Sequence, residues 1–371
     1  MVFARTDTGL LAQWWWTVDR GLLLLVAVLA VIGVMMVAAA SPPVAEKNNL
    51  PAMHFVANHL RFMLPAALVL FIASLLSPTG VWRTGALVLA MALLLMVVVL
   101  AIGTPIKGAQ RWIDLGPVNV QPSEFLKPSL AVVVAWLLAR REDLAGAVPA
   151  LALTAFAVAL LIMQPDTGMA VTVAAVFALQ VFLAGLPWIV MLLIAGVGVG
   201  LAVLAYSSLA HVRARIDTFL DPESGGDTYQ IDRAIEAIQA GGLFGKGPGE
   251  GVVKYLLPDA HSDFIYAVVI EEFGVAIALF ILVLFAWLFW RALSRLDEVA
   301  DRFTLLAGAG LIGHFILQVM INIGVNLHVL PTKGTTLPFI SYGGSALTGM
   351  ALTMGWLLAL TRRRPVVEWL E

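Results

Sequence analysis

Long apolar runs separated by short polar segments are the dominant pattern along this chain. The run from residue 21 to residue 40 contains no charged side chain, and about 20 such residues cross the hydrocarbon core of a bilayer as a helix. The pattern predicts an all-α integral membrane protein, a single polytopic domain over residues 1–371 with about ten transmembrane helices. The predicted spans are 21–40, 56–76, 84–102, 123–139, 148–163, 167–184, 187–206, 262–290, 302–328 and 337–361.

The positions of the arginines indicate the orientation of these spans in the membrane. An even number of spans places both termini on one side, and loops on the cytoplasmic side are enriched in Lys and Arg. If both termini are cytoplasmic, the inner segments hold Arg83, Arg140, Arg141, Arg291, Arg295, Arg302 and Arg362–Arg364. We therefore predict that residues 1–20 and the tail 362–371 lie in the cytoplasm. The protein itself is expected in the cytoplasmic (inner) membrane.

Three outer segments are too rich in polar and turn-forming residues to be simple connectors: 107–127, 207–261 and 330–344. The second is a large outer loop between spans seven and eight. Within it, QIDRAIEAIQAGG carries Ile231, Ile235 and Ile238 on one helical face and ends in a glycine pair. This pattern predicts an amphipathic helix lying at the outer membrane interface.

Composition narrows the chemistry. Hydrophobic residues are 61% of the chain, charged residues 12%, and there is no cysteine, which excludes disulfides, thiolate metal sites and a thiol nucleophile. The Gly-rich stretch 241–251 is not a nucleotide phosphate loop, because no strand precedes it and it lacks the Gly-Lys-Ser/Thr ending. We expect a turn against the membrane surface there, and no nucleic-acid partner.

Three acids occur in LPDAHSDFIYAVVIEEFG (257–274), at the start of the eighth predicted span. Two roles are open at its threshold, because Ser262 or Asp263 could cap the helix and a carboxylate there could also do chemistry. Glu271 and Glu272 lie about 12–14 Å deeper at 1.5 Å per residue. Acids at that depth need a cavity or a cation, and we expect one of them to hold the helix to a neighbour.

Further polar residues point to the same side of the membrane. Glu124 and Lys127 share a helix face and form either a structural pair or part of a functional site. Arg111 could bind phosphate through its planar fork, beside Trp112, which could equally be an interfacial anchor. Helix–helix hydrogen bonds are expected from three amides spaced four residues apart on the ninth span, namely Gln318, Asn322 and Asn326.

Taken together, these residues predict an outward-facing cavity. It would hold the cations Arg111, Lys127 and Lys333, the acid Asp263 and apolar walls. The segment 331–344, rich in Pro, Gly and Thr, cannot form a plain helix and is tolerated at membrane depth only beside protein or a water-filled cavity. Such a cavity suits an amphiphile with a phosphate head and a lipid tail.

Four stretches carry a resemblance to a known family: RWIDLGPVNVQPSEFLK, QPDTG (164–168), GGLFGKGPGEGVVKYLLPDAHSDF and LPTKGTTLPFISYGGS. Together they resemble the SEDS family (shape, elongation, division and sporulation), over about residues 14–364. The Leu-Pro-Thr-Lys-Gly-x-Thr-Leu-Pro form is more similar to the division branch, FtsW, than to the elongation branch, RodA.

The resemblance implies a ten-span peptidoglycan glycosyltransferase that polymerises lipid II at the outer face of the cytoplasmic membrane, at the division septum. A class B penicillin-binding protein, which crosslinks the new strand, and other division-complex membrane proteins would be its partners. The family's essential acid matches Asp263. Substrate contacts are predicted from Arg111, Trp112, Gln121, Glu124, Lys127, His261, Ser262, Lys333, Thr335 and Ser341.

The expected reaction inverts C1 of the donor sugar and expels undecaprenyl pyrophosphate. Asp263 would act as general base, as a ligand of Mg²⁺ or Mn²⁺, or as both, while Arg111, Lys127 and Lys333 would hold the pyrophosphate. Three alternatives remain open from the residues: a lipid II flippase, another polyprenyl-phosphate sugar transferase, and a scaffold whose outer loop recruits partners.

Overall fold

The computed structural model describes residues 9–106, 109–116, 119–140, 144–221, 228–331 and 334–363. Fourteen α-helices occur within these ranges. In chain order they are α1 (Leu10–Thr17), α2 (Arg20–Ala40), α3 (Pro42–Lys47), α4 (His54–Leu75), α5 (Pro78–Ile102), α6 (Ser123–Arg140), α7 (Leu144–Met163), α8 (Thr167–Leu183), α9 (Trp188–Ser208), α10 (Ala210–Leu220), α11 (Tyr229–Gly241), α12 (Ile265–Leu296), α13 (Arg302–Asn326) and α14 (Gly344–Leu360).

Ten of these helices correspond to the ten predicted spans: α2, α4 to α9, and α12 to α14. Seven are long and apolar enough to cross a membrane, and α8 and α14 are shorter apolar helices. The tenth, α6, carries Glu124, Lys127 and Arg140 along its 18 residues. The prediction of an all-α integral membrane protein with about ten transmembrane helices is confirmed.

Several predicted boundaries were wrong. The helix α5 begins at Pro78 instead of residue 84, and α7 begins at Leu144 instead of residue 148. The eighth and tenth spans differ beside the outer segments. The eighth span begins at Ile265 and continues to Leu296, where residues 262–290 were predicted. The last span begins at Gly344 instead of residue 337, because the residues from 334 to 343 are not helical. Phe339 has a φ of 61°, a left-handed conformation that a regular α-helix does not contain.

A small antiparallel sheet in the first outer segment was not predicted. Its strands are β1 (Thr104–Ile106), β2 (Ala109–Asp114) and β3 (Asn119–Val120), in the order β1-β2-β3. Strands of two to six residues at this position give no clear periodic signal. The sheet carries Arg111 and Trp112 and leads directly into α6.

Close packing at glycines holds the centre of the bundle together. A Cβ at Gly349 of α14 would lie 2.7 Å from the carbonyl oxygen of Glu124 in α6. One at Gly355 would lie 2.7 Å from the carbonyl oxygen of Leu70 in α4. Small residues let membrane helices approach this closely, so α14 is fixed against both neighbours.

The two described ends of the chain meet at one end of the bundle. The amide of Arg363 donates to the carbonyl of Thr17 at 3.1 Å, and Arg291 and Arg295 of α12 both pair with Asp19 at the start of α2. Burial raises the pKa of Asp19, but hydrogen bonds from Arg291, the Leu22 amide and Arg295 outweigh burial, so this pKa lies below its ordinary value. The ends therefore share one side, as an even number of spans requires.

The amphipathic helix predicted in the large outer loop is present as α11, but its environment differs from the expectation. Ile231, Ala234 and Ala237 are buried, and a Cβ at Gly241 would overlap the carbonyl oxygen of Ile270 in α12. The apolar face of α11 packs against protein, and the place of this helix at the outer membrane interface stays a prediction.

Candidate active site

The Gly-rich loop that follows α11 inserts into a break in α12. Gly274 has a φ of 82° inside that helix, which removes regular hydrogen bonds from the neighbouring turns. The loop replaces them: the amides of Lys246 and Gly247 donate to the carbonyls of Glu271 and Glu272, each at 2.9 Å. This loop therefore binds the interrupted helix, and its place against the membrane surface stays a prediction.

Glycine is required where the loop and the break meet. Gly245 has a φ of 79°, and a Cβ there would overlap the carbonyl oxygen of Glu272. A Cβ at Gly274 would overlap the carbonyl oxygen of Leu243. Both positions therefore combine a left-handed backbone with contact between two main chains.

The carboxylates of Glu271 and Glu272 both bind this outer loop. The Glu271 carboxylate accepts from the amides of Val252 and Val253, both at 2.7 Å, and from the amide of Lys254 at 2.9 Å. Glu272 pairs with the Lys254 ammonium and accepts from the Gly249 amide at 3.0 Å. The expectation that one acid holds the helix to a neighbour is confirmed, and both acids do so.

Lys254 completes this cluster and was missed from the sequence. Its ammonium also donates to the carbonyl of Ala39 at the end of α2, at 3.0 Å, and its side chain is only 2% exposed. Lys254 stands 18 residues before Glu272 in an outer loop, so no helical spacing joins the two. The signal that could have found it is the rule that a buried acid needs a cation.

Asp263 lies in the turn that precedes α12. Phe264 occupies the N-cap position of that helix without a side-chain cap, so neither Ser262 nor Asp263 stands there, and the Ser262 hydroxyl donates back to the carbonyl of Asp259 at 3.3 Å. Asp263 is half-buried, and a Cβ at Gly334 would lie 2.9 Å from its Oδ2. The carboxylate therefore faces the segment before α14.

Two amides of α13 hold the backbone of this turn. The carbonyl of Asp263 accepts from Asn322 Nδ2 at 3.0 Å and from Asn326 Nδ2 at 2.9 Å. Asn326 Oδ1 in turn accepts from the amide of Ala267 at 3.0 Å. The Asn326 side chain thus bridges a carbonyl and an amide four residues apart, which would bond each other directly in a continuous helix.

The segment 334–343 is fastened to the same turn. The Ser341 hydroxyl donates to the carbonyl of Ser262 at 2.6 Å and accepts from the Leu337 amide at 2.8 Å. The amide of Tyr342 donates to the carbonyl of His261 at 2.9 Å, and Asn322 also donates to the carbonyl of Thr335. Ser341 therefore holds the site through its side-chain hydroxyl, and Thr335 through its main-chain carbonyl. Lys333 lies outside the described residues.

Glu124 and Lys127 join this network through the third amide of α13. The Lys127 ammonium lies 2.8 Å from Glu124 Oε2 and 2.9 Å from Gln318 Oε1, and both charged side chains are buried. Gln318 Nε2 donates to the carbonyl of Thr336 at 3.1 Å. The predicted hydrogen bonding by Gln318, Asn322 and Asn326 is confirmed, and these amides connect α6, the Asp263 turn and the segment before α14.

Aromatic rings support the turn from the side of α4. The His261 ring lies 4.4 Å from that of Phe55 and 5.1 Å from that of Tyr342, measured between centroids. His261 is buried. The His261 ring therefore packs against the rings of Phe55 and Tyr342, beside Asp263.

The remaining predicted residues lie on the α6 and sheet side. Gln121 is buried; its amide donates to the Ser345 hydroxyl, and its Nε2 to the Ser123 hydroxyl, both at 3.1 Å. Trp112 is half-buried in β2, where it pairs with Thr104. These contacts fasten the sheet to the starts of α6 and α14.

Arg111 is bound to the turn before α8. Its guanidinium donates to the carbonyls of Gln164, at 3.1 Å from Nε, and of Pro165, and Nη1 lies 3.6 Å from Asp166 Oδ2. Asp166 also caps α8 by accepting from the Met169 amide at 3.2 Å. The structure thus places Arg111 in a structural cluster, with 21% of its side chain exposed.

A family model and a curated relative assign this chain to the same family. The family model described as "Cell cycle protein" (FtsW, RodA and SpoVE) matches residues 20–365. A probable peptidoglycan glycosyltransferase FtsW of Caulobacter vibrioides is 44% identical over 319 residues, which are 84% of this chain and 80% of that protein.

Solved structures share the fold. A chain of a peptidoglycan synthase complex that coordinates polymerization and crosslinking has a TM-score of 0.78 at 28% identity, covering 94% of this chain and 98% of that one. The rod shape determining protein RodA of Thermus thermophilus has a TM-score of 0.70 at 29% identity, covering 95% and 99%. The chain belongs to the FtsW/RodA/SpoVE family of cell cycle proteins, the SEDS family that its motifs resemble.

Proposed function

We propose that this protein is a peptidoglycan glycosyltransferase that polymerises lipid II into glycan strands at the outer face of the cytoplasmic membrane, in septal wall synthesis. The similarity to glycosyltransferases of the FtsW branch supports this function. The structural observation that carries it is Asp263, a half-buried carboxylate whose turn is held by Asn322 and Asn326 at the meeting point of three elements.

Polymerisation forms a bond between the C4 hydroxyl oxygen of one sugar and C1 of the next, and breaks the bond from C1 to undecaprenyl pyrophosphate. The linkage changes from α to β, so a single in-line displacement with inversion is expected. Asp263 would accept the hydroxyl proton as general base. A positioned base contributes about 10²- to 10⁴-fold.

Positive charge must stabilise the departing pyrophosphate. Lys127 contacts Glu124 and Gln318, so a phosphate would take the third donor of its ammonium or replace one of these partners. Arg111 would offer the guanidinium donors that do not bind the carbonyls of Gln164 and Pro165. We assign Arg111, Lys127 and Lys333 to the pyrophosphate, and the present contacts of Arg111 and Lys127 to the positioning of the site in the absence of substrate.

A divalent cation, Mg²⁺ or Mn²⁺, fits this site only together with substrate. Among the described residues, no group of three or more His, Asp or Glu side chains is arranged to hold a metal. Mg²⁺ is commonly bound by one or two carboxylates plus substrate phosphates, and Asp263 would be the protein ligand. The ion would neutralise phosphate charge when bound.

The partner and the location follow the same similarity. The peptidoglycan synthase complex of the matched chain couples polymerization to crosslinking. We propose that a class B penicillin-binding protein crosslinks the strands made here, and that other division-complex membrane proteins place the pair at the septum. The side of the membrane follows from the arginines at the opposite end of the bundle.

The function is tested with purified protein and lipid II, with and without a class B partner. Glycan strands on a gel, absent when lipid II is left out, are the expected result. Transfer of lipid II across liposomes without glycan would identify a flippase instead. Activity on a different polyprenyl-linked sugar, and none on lipid II, would identify another sugar transferase.

A further inference from the structure

At the end of the bundle opposite Asp263, tryptophans from two adjacent helices stack. The rings of Trp82 in α5 and Trp136 in α6 lie 4.8 Å apart at an interplanar angle of 18°. A guanidinium lies over each ring: that of Arg140 is 4.6 Å from the Trp136 centroid, and that of Arg83 is 5.9 Å from the Trp82 centroid. These four residues form an arginine–tryptophan ladder.

A pocket of about 310 Å³ opens beside the ladder, between the last turn of α6 and the first turns of α7. Among the described residues, one guanidinium and one indole line it, and the other lining side chains are small or apolar. The lining residues are Trp136, Leu137, Arg140, Ala145, Gly146 and Pro149. None of them is acidic; Glu142 and Asp143, in the connection, lie outside the described residues.

The ladder arginines differ from three other arginines at this end of the bundle. Arg291 and Arg295 pair with Asp19, and Arg363 pairs with Glu298. Within the part of the chain that the structure describes, neither Arg83 nor Arg140 has an ion pair with an acid, and both are exposed. Their charge is therefore available to an anion from outside the protein.

We propose that this pocket binds the headgroup of an anionic phospholipid in the adjacent leaflet, cytoplasmic by the distribution of arginines. A planar guanidinium matches the geometry of a phosphate, and basic pockets between membrane helices on this side bind such headgroups. Tryptophan rings lie at headgroup depth. Val148, on the same turns of α7, is 63% exposed and offers apolar surface to an acyl chain, which a free phosphate would not use.

Native mass spectrometry of the purified full-length protein tests this site. The protein is stripped of lipid in neutral detergent and mixed with phosphatidylglycerol or with phosphatidylcholine of the same acyl chains. Wild type is expected to retain phosphatidylglycerol preferentially, and Arg140→Gln to retain about fivefold to tenfold less, since a basic residue near the headgroups contributes about 1 kcal/mol. If Arg140→Gln does not purify, Arg140→Lys keeps the charge without the planar fork and is expected to retain several-fold less.

The matched control is Arg20→Gln. The Arg20 guanidinium also lies over tryptophans at this end, 4.7 Å from the Trp15 ring and 4.8 Å from the Trp16 ring, but it does not line the pocket. Arg20→Gln is expected to retain phosphatidylglycerol like wild type. Equal loss in both variants, or equal retention of the two lipids by wild type, would overturn the proposal.

Inorganic phosphate separates a lipid site from a general phosphate site. Phosphatidylglycerol is expected to raise the unfolding temperature of the stripped wild-type protein, and millimolar inorganic phosphate is expected to leave it unchanged. An equal rise with phosphate alone would overturn the assignment to a lipid.

Discussion

Two acidic regions lie within one short stretch of the chain and use their charge in opposite ways. At the break in α12, the carboxylates of Glu271 and Glu272 bind main-chain amides and Lys254. At the turn before α12, the amides of Asn322 and Asn326 bind the main chain of Asp263. The carboxylates of Glu271 and Glu272 stabilise the fold and are therefore not available as bases. The Asp263 turn is held by neighbouring amides, so it can present its carboxylate to a substrate.

The largest expected effect on folding comes from Lys254→Met. It leaves the Glu272 carboxylate buried without its cation and removes the bond to Ala39, and breaking a buried ion pair in this way costs about 3–5 kcal/mol. The unfolding temperature of the purified protein should fall sharply. Lys246→Met is the control, because the Lys246 ammonium lies 4.0 Å from Glu271 and is 36% exposed; equal losses would contradict the account of the break.

A smaller loss of stability is expected from alanine in the Gly-rich loop. Gly249 and Gly245 both have positive φ, 87° and 79°, and a left-handed non-glycine residue costs about 1–2 kcal/mol. Only at Gly245 would the new Cβ also overlap the carbonyl of Glu272. Gly245→Ala should therefore lower the unfolding temperature more than Gly249→Ala; the reverse order would show that the loop does not pack into the break.

At the Asp263 turn, Asn326→Ala should reduce activity more than stability. It removes two hydrogen bonds of the Asp263 turn, one to the Asp263 carbonyl and one from the Ala267 amide, each of which contributes about 0.5–1.5 kcal/mol net. The Ala267 amide keeps the Phe264 carbonyl as an acceptor, so the turn is loosened and the helix is kept. The matched control is Gln180→Ala, since Gln180 also donates to two buried carbonyls, those of Ala131 and Leu306, away from Asp263. Lipid II polymerisation per folded protein should fall only in Asn326→Ala; equal activity in both variants would remove Asn326 from the positioning of Asp263.

The spans could be predicted, and Asp263 could be singled out as a candidate, because their signals are local. Apolar runs of about 20 residues and an acid beside a resembled motif are readable in a single stretch. The pairing of Lys254 with Glu272 could not be predicted, because it depends on a loop that enters a break at Gly274 from outside the helix. The contacts of Arg111 with the turn at Gln164 and Pro165 likewise join segments far apart in the chain. The three-stranded sheet is local, but its strands of two to six residues give no clear periodic signal.

The central claim is that the Asp263 carboxylate performs proton transfer or metal binding and does not hold the fold. The most direct measurement is the rate of lipid II polymerisation by purified Asp263→Asn, with the class B partner present, beside its unfolding temperature. The account predicts a rate about 10²- to 10⁴-fold below wild type at an unchanged unfolding temperature. A folded Asp263→Asn protein that polymerises lipid II at the wild-type rate would contradict it.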